Sequence, residues 1–504
     1  MTTTMPATPL AEVDRKLARL AEHRRVWVEL PPSERARLLR ECMETTRAVA
    51  ERWAQVACEV KGYAEGSNGH GEEFLAGTLP TMRNLRLFAE ALEAGGTPPL
   101  PSTTQRPDGQ WVARVFPQSL LDKALFAGVT CDIWIEPGHE PTQGAIYRTP
   151  VDQRKGGLSV VLGAGNQSSI PPMDVLYKLV VDDEVCILKM NPVNEALGPV
   201  IEDALRPLVG AGFLEVVYGG IEVGKHLTDH ELVTSIHITG SAGAHDAIIW
   251  GPGEEGTKNK EAGTPRLDKH ITSELGCVSP VLVVPGEWSD KELDYHARQI
   301  ASMLAYNCGF NCNGARLVTV AAGWPQKGAF LARVKEKLGA TPTRTAYYPT
   351  AQATWKRFTG QGRTATSLGT PAEGELPWTV FEGVTPADTF LLENEPWCGI
   401  FSFVELDAAT PEAFLAAAVM SAVAFCTAAV ASAVVRRRRA RTVRRDRDLP
   451  RRRFVPVTDA ATSSAACSAS AGPTGGDAGE AASSEAMATV RSGHGEVGKR
   501  GLGG

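Results

Sequence analysis

Cysteine is sparse in this sequence: ten in 504 residues, with no Cys-x-x-Cys pair and no histidines spaced for zinc. A disulfide-stapled secreted scaffold and a zinc module are therefore excluded, and an important cysteine is expected to be a nucleophile rather than half of a bridge. Neither charge dominates, with 52 basic against 58 acidic residues and a formal net charge of −6, so the chain as a whole has no attraction for nucleic acid. Its 50 glycines and 33 prolines follow no Gly-X-Y period, which excludes collagen. The opening residues, MTTTMPATPLAEVDRKLARL, have no apolar core of a signal peptide and contain acids, unlike a transit peptide. A reduced, cytoplasmic protein is expected.

What is present is ordinary for a globular protein: 43% hydrophobic and 22% charged residues, over a length that allows two or three domains. From Leu10 to about Ala94 apolar residues such as Val13, Leu17, Leu20, Leu38, Leu39 and Cys42 recur at helical spacing. Residues 97–108 are rich in Pro and Thr and read as a surface connection. Two short extended runs, CDIWIEP from Cys131 and GAIYRTP from Gly144, predict a protruding hairpin over 131–150.

Beyond it the apolar runs LSVVL, VCIL, LEVVY and SIHIT alternate with helical stretches at 173–181 and 195–209, and most end in Gly. That alternation predicts a doubly wound parallel sheet, in which ligands bind beyond the carboxyl ends of the strands. A second α/β unit starts near PVLVV at Pro280, with a helix over about 291–304 and the strand LVTV from Leu317. The stretch 251–269 reads as an exposed loop. After an Ala-rich, uncharged run from Leu415 to Val435 come RRRR and a Ser/Ala/Gly/Arg tail, expected to be disordered from 426 onward.

Three segments carry chemistry: Asn166 in LGAGNQSS, Glu274 in SELG and Cys312 in NCGFNC. A thiol to attack a carbonyl, an amide to hold the oxyanion and a carboxylate to activate water suit covalent catalysis. In this order, and with Lys189 in ILKMNP, Gly240 and Ser241 in HITGS and Glu395 in NEPWCGIF, the sequence resembles the aldehyde dehydrogenase superfamily from its N-terminal helices to about Leu406.

The resemblance implies a Rossmann-like cofactor domain over 1–130 and 151–273. It also implies a hairpin at 131–150 for homo-oligomerisation and an α/β catalytic domain over 274–425. It implies oxidation of an aldehyde to a carboxylic acid with NAD or NADP. Cys312 would form the thiohemiacetal and then a thioester, its thiolate facing the nicotinamide. Asn166 and the Cys312 backbone N–H would hold the oxyanion, and Glu274 would be the base for hydrolysis. Lys189, Gly220, Gly240, Ser241, Glu395 and Trp397 would bind the cofactor, and no metal is implied. Glu274 favours release by water over transfer to coenzyme A.

The departures from the family pattern are specific. Phe310 stands where Gln is common, which predicts a more apolar aldehyde pocket. Trp397, Cys398 and Gly399 replace Phe-Gly-Pro, and Pro192 stands where many NAD users place an acid, which leaves NAD and NADP open. The family's last catalytic segment and pairing strand have no counterpart after about Phe425, as a shifted reading frame would give. Two readings from other classes are a membrane anchor at 415–435 and an Arg-rich binding arm at 436–453; no membrane and no nucleic-acid partner is the expectation. A catalytically inactive scaffold of the same fold is the third.

Overall fold

In the computed structural model, residues 5–421 and 488–492 are described. The expected helical N-terminus comprises Leu10–Glu29, Pro32–Lys61 and Leu79–Glu93. The first two are amphipathic, burying Val13, Leu17, Leu20 and Trp27, then Leu39, Cys42 and Trp53. Arg35, fully buried, is matched by Asp183 at 2.7 Å, a pairing that such a buried charge requires.

The chain folds as two compact units, residues 5–89 with 154–421, and residues 90–153 with the strand 488–492. The smaller unit is an antiparallel sheet of β1 (Ser102–Gln105), β2 (Trp111–Phe116), β3 (Val129–Trp134) and, beside β3, the C-terminal strand Ala488–Ser492. Three expectations change here. The surface connection contains β1. The GAIYRTP run is a helical turn, Ala145–Arg148, instead of a second hairpin arm, because Gly144 takes a left-handed conformation. A strand does follow residue 425, whereas residues 422–487 and 493–504, including the Arg cluster and most of the proposed anchor, lie outside the described residues. None of the helices among the described residues is long and apolar enough to cross a membrane.

In the larger unit, five parallel strands follow the order β6-β5-β4-β7-β8: β4 (Gly157–Leu162), β5 (Glu184–Lys189), β6 (Leu214–Val217), β7 (Ser235–Gly240) and β8 (His270–Leu275). The chain winds away from β4 in both directions, so the switch point lies between β4 and β7, where such sheets open a crevice. The near-continuous burial of β4, β5 and β6 is that of a sheet covered on both faces. The helix expected over 195–209 is broken into Gly198–Ala204 and Arg206–Gly210, each with a Pro in its first turn. The expected loop at 251–269 holds a helix, Gly253–Ala262. It has Glu254 and Glu255 in its first turn, Lys260 in its last and a left-handed Gly263 at its end, all favourable to helix termini.

The second sheet has the order β11-β12-β13-β10-β9: β9 (Pro280–Val283), β10 (Leu317–Ala321), β11 (Ala365–Leu368), β12 (Trp378–Val384) and β13 (Ile400–Leu406). All neighbours are parallel except β11 with β12. The helix Asp290–Ala305, closed at its start by a Ser289–Glu292 capping box, delivers the chain to the cysteine loop.

Candidate active site

The loop after β4 lies against the loop that carries Cys312. Gly165 in the first of these loops has no room for a side chain, since a β-carbon there would stand 2.7 Å from Asn191 Oδ1 and 2.9 Å from the Tyr348 hydroxyl. Asn166 is buried, and its Nδ2 donates to the Phe310 carbonyl oxygen at 3.0 Å. An amide carries two N–H donors, so one remains for a ligand.

The cysteine loop is strained. Asn307 and Cys308 have φ of 52° and 55°, followed by Gly309 at 78°. Left-handed residues in succession are costly and persist only where the surroundings hold them. Here Asn307 Nδ2 donates to the carbonyls of Asn166 (3.1 Å) and Phe310 (3.2 Å), while the Tyr347 hydroxyl donates to Asn307 Oδ1 (3.1 Å). Glu72, clamped by Arg344 at 2.6 and 2.8 Å, accepts from Asn307 N–H. Gly309 lies against Cys398 and Gly399, where a β-carbon would be 2.9 Å from the Gly399 nitrogen. Arg316, fully buried, donates to the carbonyls of Gly309, Asn311 (3.1 Å) and Cys398 (2.5 Å), tying the loop to the segment after Glu395.

Cys312 emerges half-buried from this framework, and Ser279 Oγ holds its carbonyl at 2.8 Å. Burial, then the charges of Glu395 and Glu274, raise its thiol above the ordinary cysteine range, while the backbone N–H groups of Asn313 and Cys312 oppose the rise. A thiol so raised needs a base to become a nucleophile. Cys308, by contrast, is buried and pushed up to about 12.

Glu274 sits near the carboxyl end of β8, opposite Thr239 of β7. Its outer edge is open, yet burial raises its proton affinity first, with Asp174 adding to the rise and His237 opposing it. Glu395 is raised to about 7 by burial, against the pull of Arg316 and the Cys277 backbone N–H. Its Oε1 is sealed from solvent with no hydrogen-bond partner among the described residues.

The remaining cofactor candidates line the same strand ends. Lys189 closes β5, buried, with its proton affinity lowered by burial. Gly240 ends β7, and Ser241 caps the helix Ala242–Trp250, accepting from Ala244 N–H at 3.2 Å. Such a helix start suits a pyrophosphate. Gly220 precedes the helix Ile221–Asp229, where nothing would meet an added β-carbon. Trp397 packs edge-on to Tyr348, ring centroids 5.5 Å apart. Phe310 is fully buried, with centroids 4.9 Å from Tyr347 and 5.0 Å from Tyr348. Its partners come from a distant segment that no local pattern joins to NCGFNC. Sequence reasoning also missed Asn307, Arg316, Asp174 and His237; the polar His and Thr alternating within SIHIT were the available signal for the last.

Away from the crevice, Asp14, His226 and His230 bring ligand-type atoms together. His230 Nδ1 accepts from Leu232 N–H, which leaves Nε2 as an N–H donor facing Asp14 at 3.5 Å, so the trio is a hydrogen-bonded group.

Residues 185–352 match the model of the aldehyde dehydrogenase family. The fold is similar to that of the aldehyde dehydrogenase KauB from Pseudomonas aeruginosa, with a TM-score of 0.57 and 17% identity over 84% of this chain and 75% of that one. An indole-3-acetaldehyde dehydrogenase solved with NAD+ gives a TM-score of 0.56 at 18% identity, covering 84% and 75%. An NADP-dependent glyceraldehyde-3-phosphate dehydrogenase from Bacillus halodurans, solved with NADP, gives 0.57 at 15% identity, covering 84% and 76%. The likeness to these three is one of fold. Residues 185–352 thus carry the match to the aldehyde dehydrogenase family, and the fold around them is similar to that of solved aldehyde dehydrogenases.

Proposed function

We propose that this protein oxidises an aldehyde to a carboxylic acid with NAD or NADP, through a covalent adduct on Cys312. The observation that carries the reading is the meeting of Asn166 with the loop that carries Cys312. A hydrogen bond from the strand end of one sheet reaches Phe310, two residues before the thiol carried beside the other. Two carboxyl groups of raised proton affinity flank that thiol.

The chain's own groups divide the work. A flanking carboxylate takes the Cys312 proton, and the sulfur attacks the aldehyde carbon. The second N–H of Asn166 and the loop's backbone N–H groups stabilise the oxyanion. The residues present fit a dinucleotide: Lys189 ends a buried strand, Ser241 opens a helix, and the orphaned Glu395 Oε1 needs a hydroxyl to accept from. A bound nicotinamide would supply the hydride acceptor for the adduct on Cys312. Glu274 then removes a proton from the water that hydrolyses the thioester, and Cys312 leaves as the thiolate. Residues 1–130 with 151–273 would form the cofactor domain and 274–425 the catalytic one. Self-association, expected through residues 131–150, belongs to the same reading; Leu120, Leu121, Leu125 and Phe126, shortly before that segment, are exposed.

The test is a panel of aldehydes with NAD and with NADP, followed by reduced-nicotinamide absorbance, on the full chain and Cys312→Ser. Turnover by the parent alone is expected. Turnover retained by Cys312→Ser would remove the thiol from its role, and no turnover with any aldehyde would favour the inactive scaffold.

A further inference from the structure

The face of β7 and β8 that carries Glu274 holds polar groups that the reaction above does not use. The strands run parallel with His237 opposite Thr272 and Thr239 opposite Glu274. Side chains two apart on a strand share a face, so these four form one block. Ile236, Ile238 and Ile271 are buried on the other face.

Asp174, from the helix Ile170–Val180, comes down on this block. Thr239 Oγ1 donates to Asp174 Oδ2 at 2.9 Å. His237 Nε2 lies 3.5 Å from the same oxygen and 3.3 Å from Thr239 Oγ1, while its Nδ1 is 2.8 Å from Thr272 Oγ1. Both ring nitrogens therefore face groups able to accept a hydrogen bond, and a protonated imidazole is accommodated without rearrangement. His237 and Asp174 are 14% and 17% exposed, so solvent screens them little. The acid and the imidazole are partnered within this polar block, which offsets the cost of desolvating them.

We propose that Asp174 and His237 are positioning residues for Glu274, an acid and an imidazole held by the strand register on the same face as its carboxylate. The inference rests on the reading of Glu274 as the base of thioester hydrolysis. The titratable groups facing Glu274 are Asp174 from the helix, His237 from β7 and the Cys312 thiol from the loop; Thr239 and Thr272 between them are uncharged. Burial is the largest influence on Glu274, and the two neighbours act on it with opposite sign. The pair thus bears on the ionisation of Glu274, the property that decides whether it can act as a general base.

The test uses 4-nitrophenyl acetate, an activated ester that acylates a thiol without any cofactor, on the full chain from pH 5 to pH 9. A burst of nitrophenolate reports acylation, and the steady rate after it reports hydrolysis of the acyl-enzyme. Asp174→Asn removes a like charge, so the acid limb of the steady rate is expected to move to lower pH. His237→Gln removes a favourable charge, so the limb is expected to move to higher pH. Each is expected as about a twofold or larger change of rate on the limb, about 0.3 pH unit. Either variant alone carries a sign, so one that fails to fold leaves the other decisive. Limbs that stay in place, or move together, would overturn the inference while a burst abolished by Cys312→Ser keeps the reading of Cys312. A parent without such a burst would overturn both.

Discussion

The Glu395 carboxylate lies so close over Gly276 that a methyl group at that position would overlap Oε2. Gly276 is two residues past Glu274, so the same turn that presents one acid to Cys312 leaves room for the other. Gly276→Ala is expected to push Glu395 aside, costing about 1–3 kcal/mol of stability as other overpacked sites do. The KM for the nicotinamide cofactor should rise with it. Urea unfolding and cofactor titration of the variant check both, and an unchanged KM would separate Glu395 from the cofactor.

Glu395 itself makes stability depend on pH. Its folded value of about 7 lies above the ordinary 4.5, so the folded state holds the proton more tightly than the unfolded state. Between these values the folded form binds more protons, and stability falls as pH rises through the window. At about 1.4 kcal/mol per pH unit, the loss is about 3 kcal/mol at full effect. Glu395→Gln removes the ionisation, so relative to the parent it should be more stable at pH 8 than at pH 5. Parallel unfolding curves at the two pH values would contradict this.

The two cysteines of the loop should react at different rates. Cys312 is half-buried, whereas Cys308 is buried with its thiol pushed up to about 12. Since the thiolate is the reacting form, iodoacetamide at pH 8 should label Cys312 well before Cys308. Peptide mapping of the partly labelled chain reads the order, and prior labelling of Cys308 would reverse the assignment.

Arg316 fixes the loop through three carbonyls from one planar fork. Lysine cannot reproduce that fork, so Arg316→Lys should lower kcat by on the order of tenfold to a hundredfold through misplacement of the thiol. The comparison is kcat against KM for aldehyde, with the fall concentrated in kcat.

The strand ends were legible in the sequence because buried parallel strands are continuous apolar runs and the Gly, Asn, Lys and Ser beyond them break the run. That placed Asn166, Lys189 and Gly240 on their elements, whereas HITSEL, the strand of Glu274, is no continuous apolar run. Short runs misled: GAIYRTP and LSVVL look alike over five residues, but only the second has sheet neighbours on both sides. The packing of Phe310 was not legible for another reason. Its aromatic partners are Tyr347 and Tyr348, and contacts so far apart in sequence leave no local periodicity. His237 and Asp174 escaped notice because each sits singly in an apolar element, and only the strand register joins them to Glu274.

The most direct test of the central claim is the site of the covalent adduct. Glu274→Gln, mixed with an oxidisable aldehyde and the preferred nicotinamide cofactor and quenched in acid, should trap the thioester because hydrolysis has lost its base. Mass mapping is expected to find the acyl group on Cys312 in near-stoichiometric amount, with one reduced nicotinamide formed per chain. An adduct on another cysteine, or reduced nicotinamide without any adduct, would contradict the account.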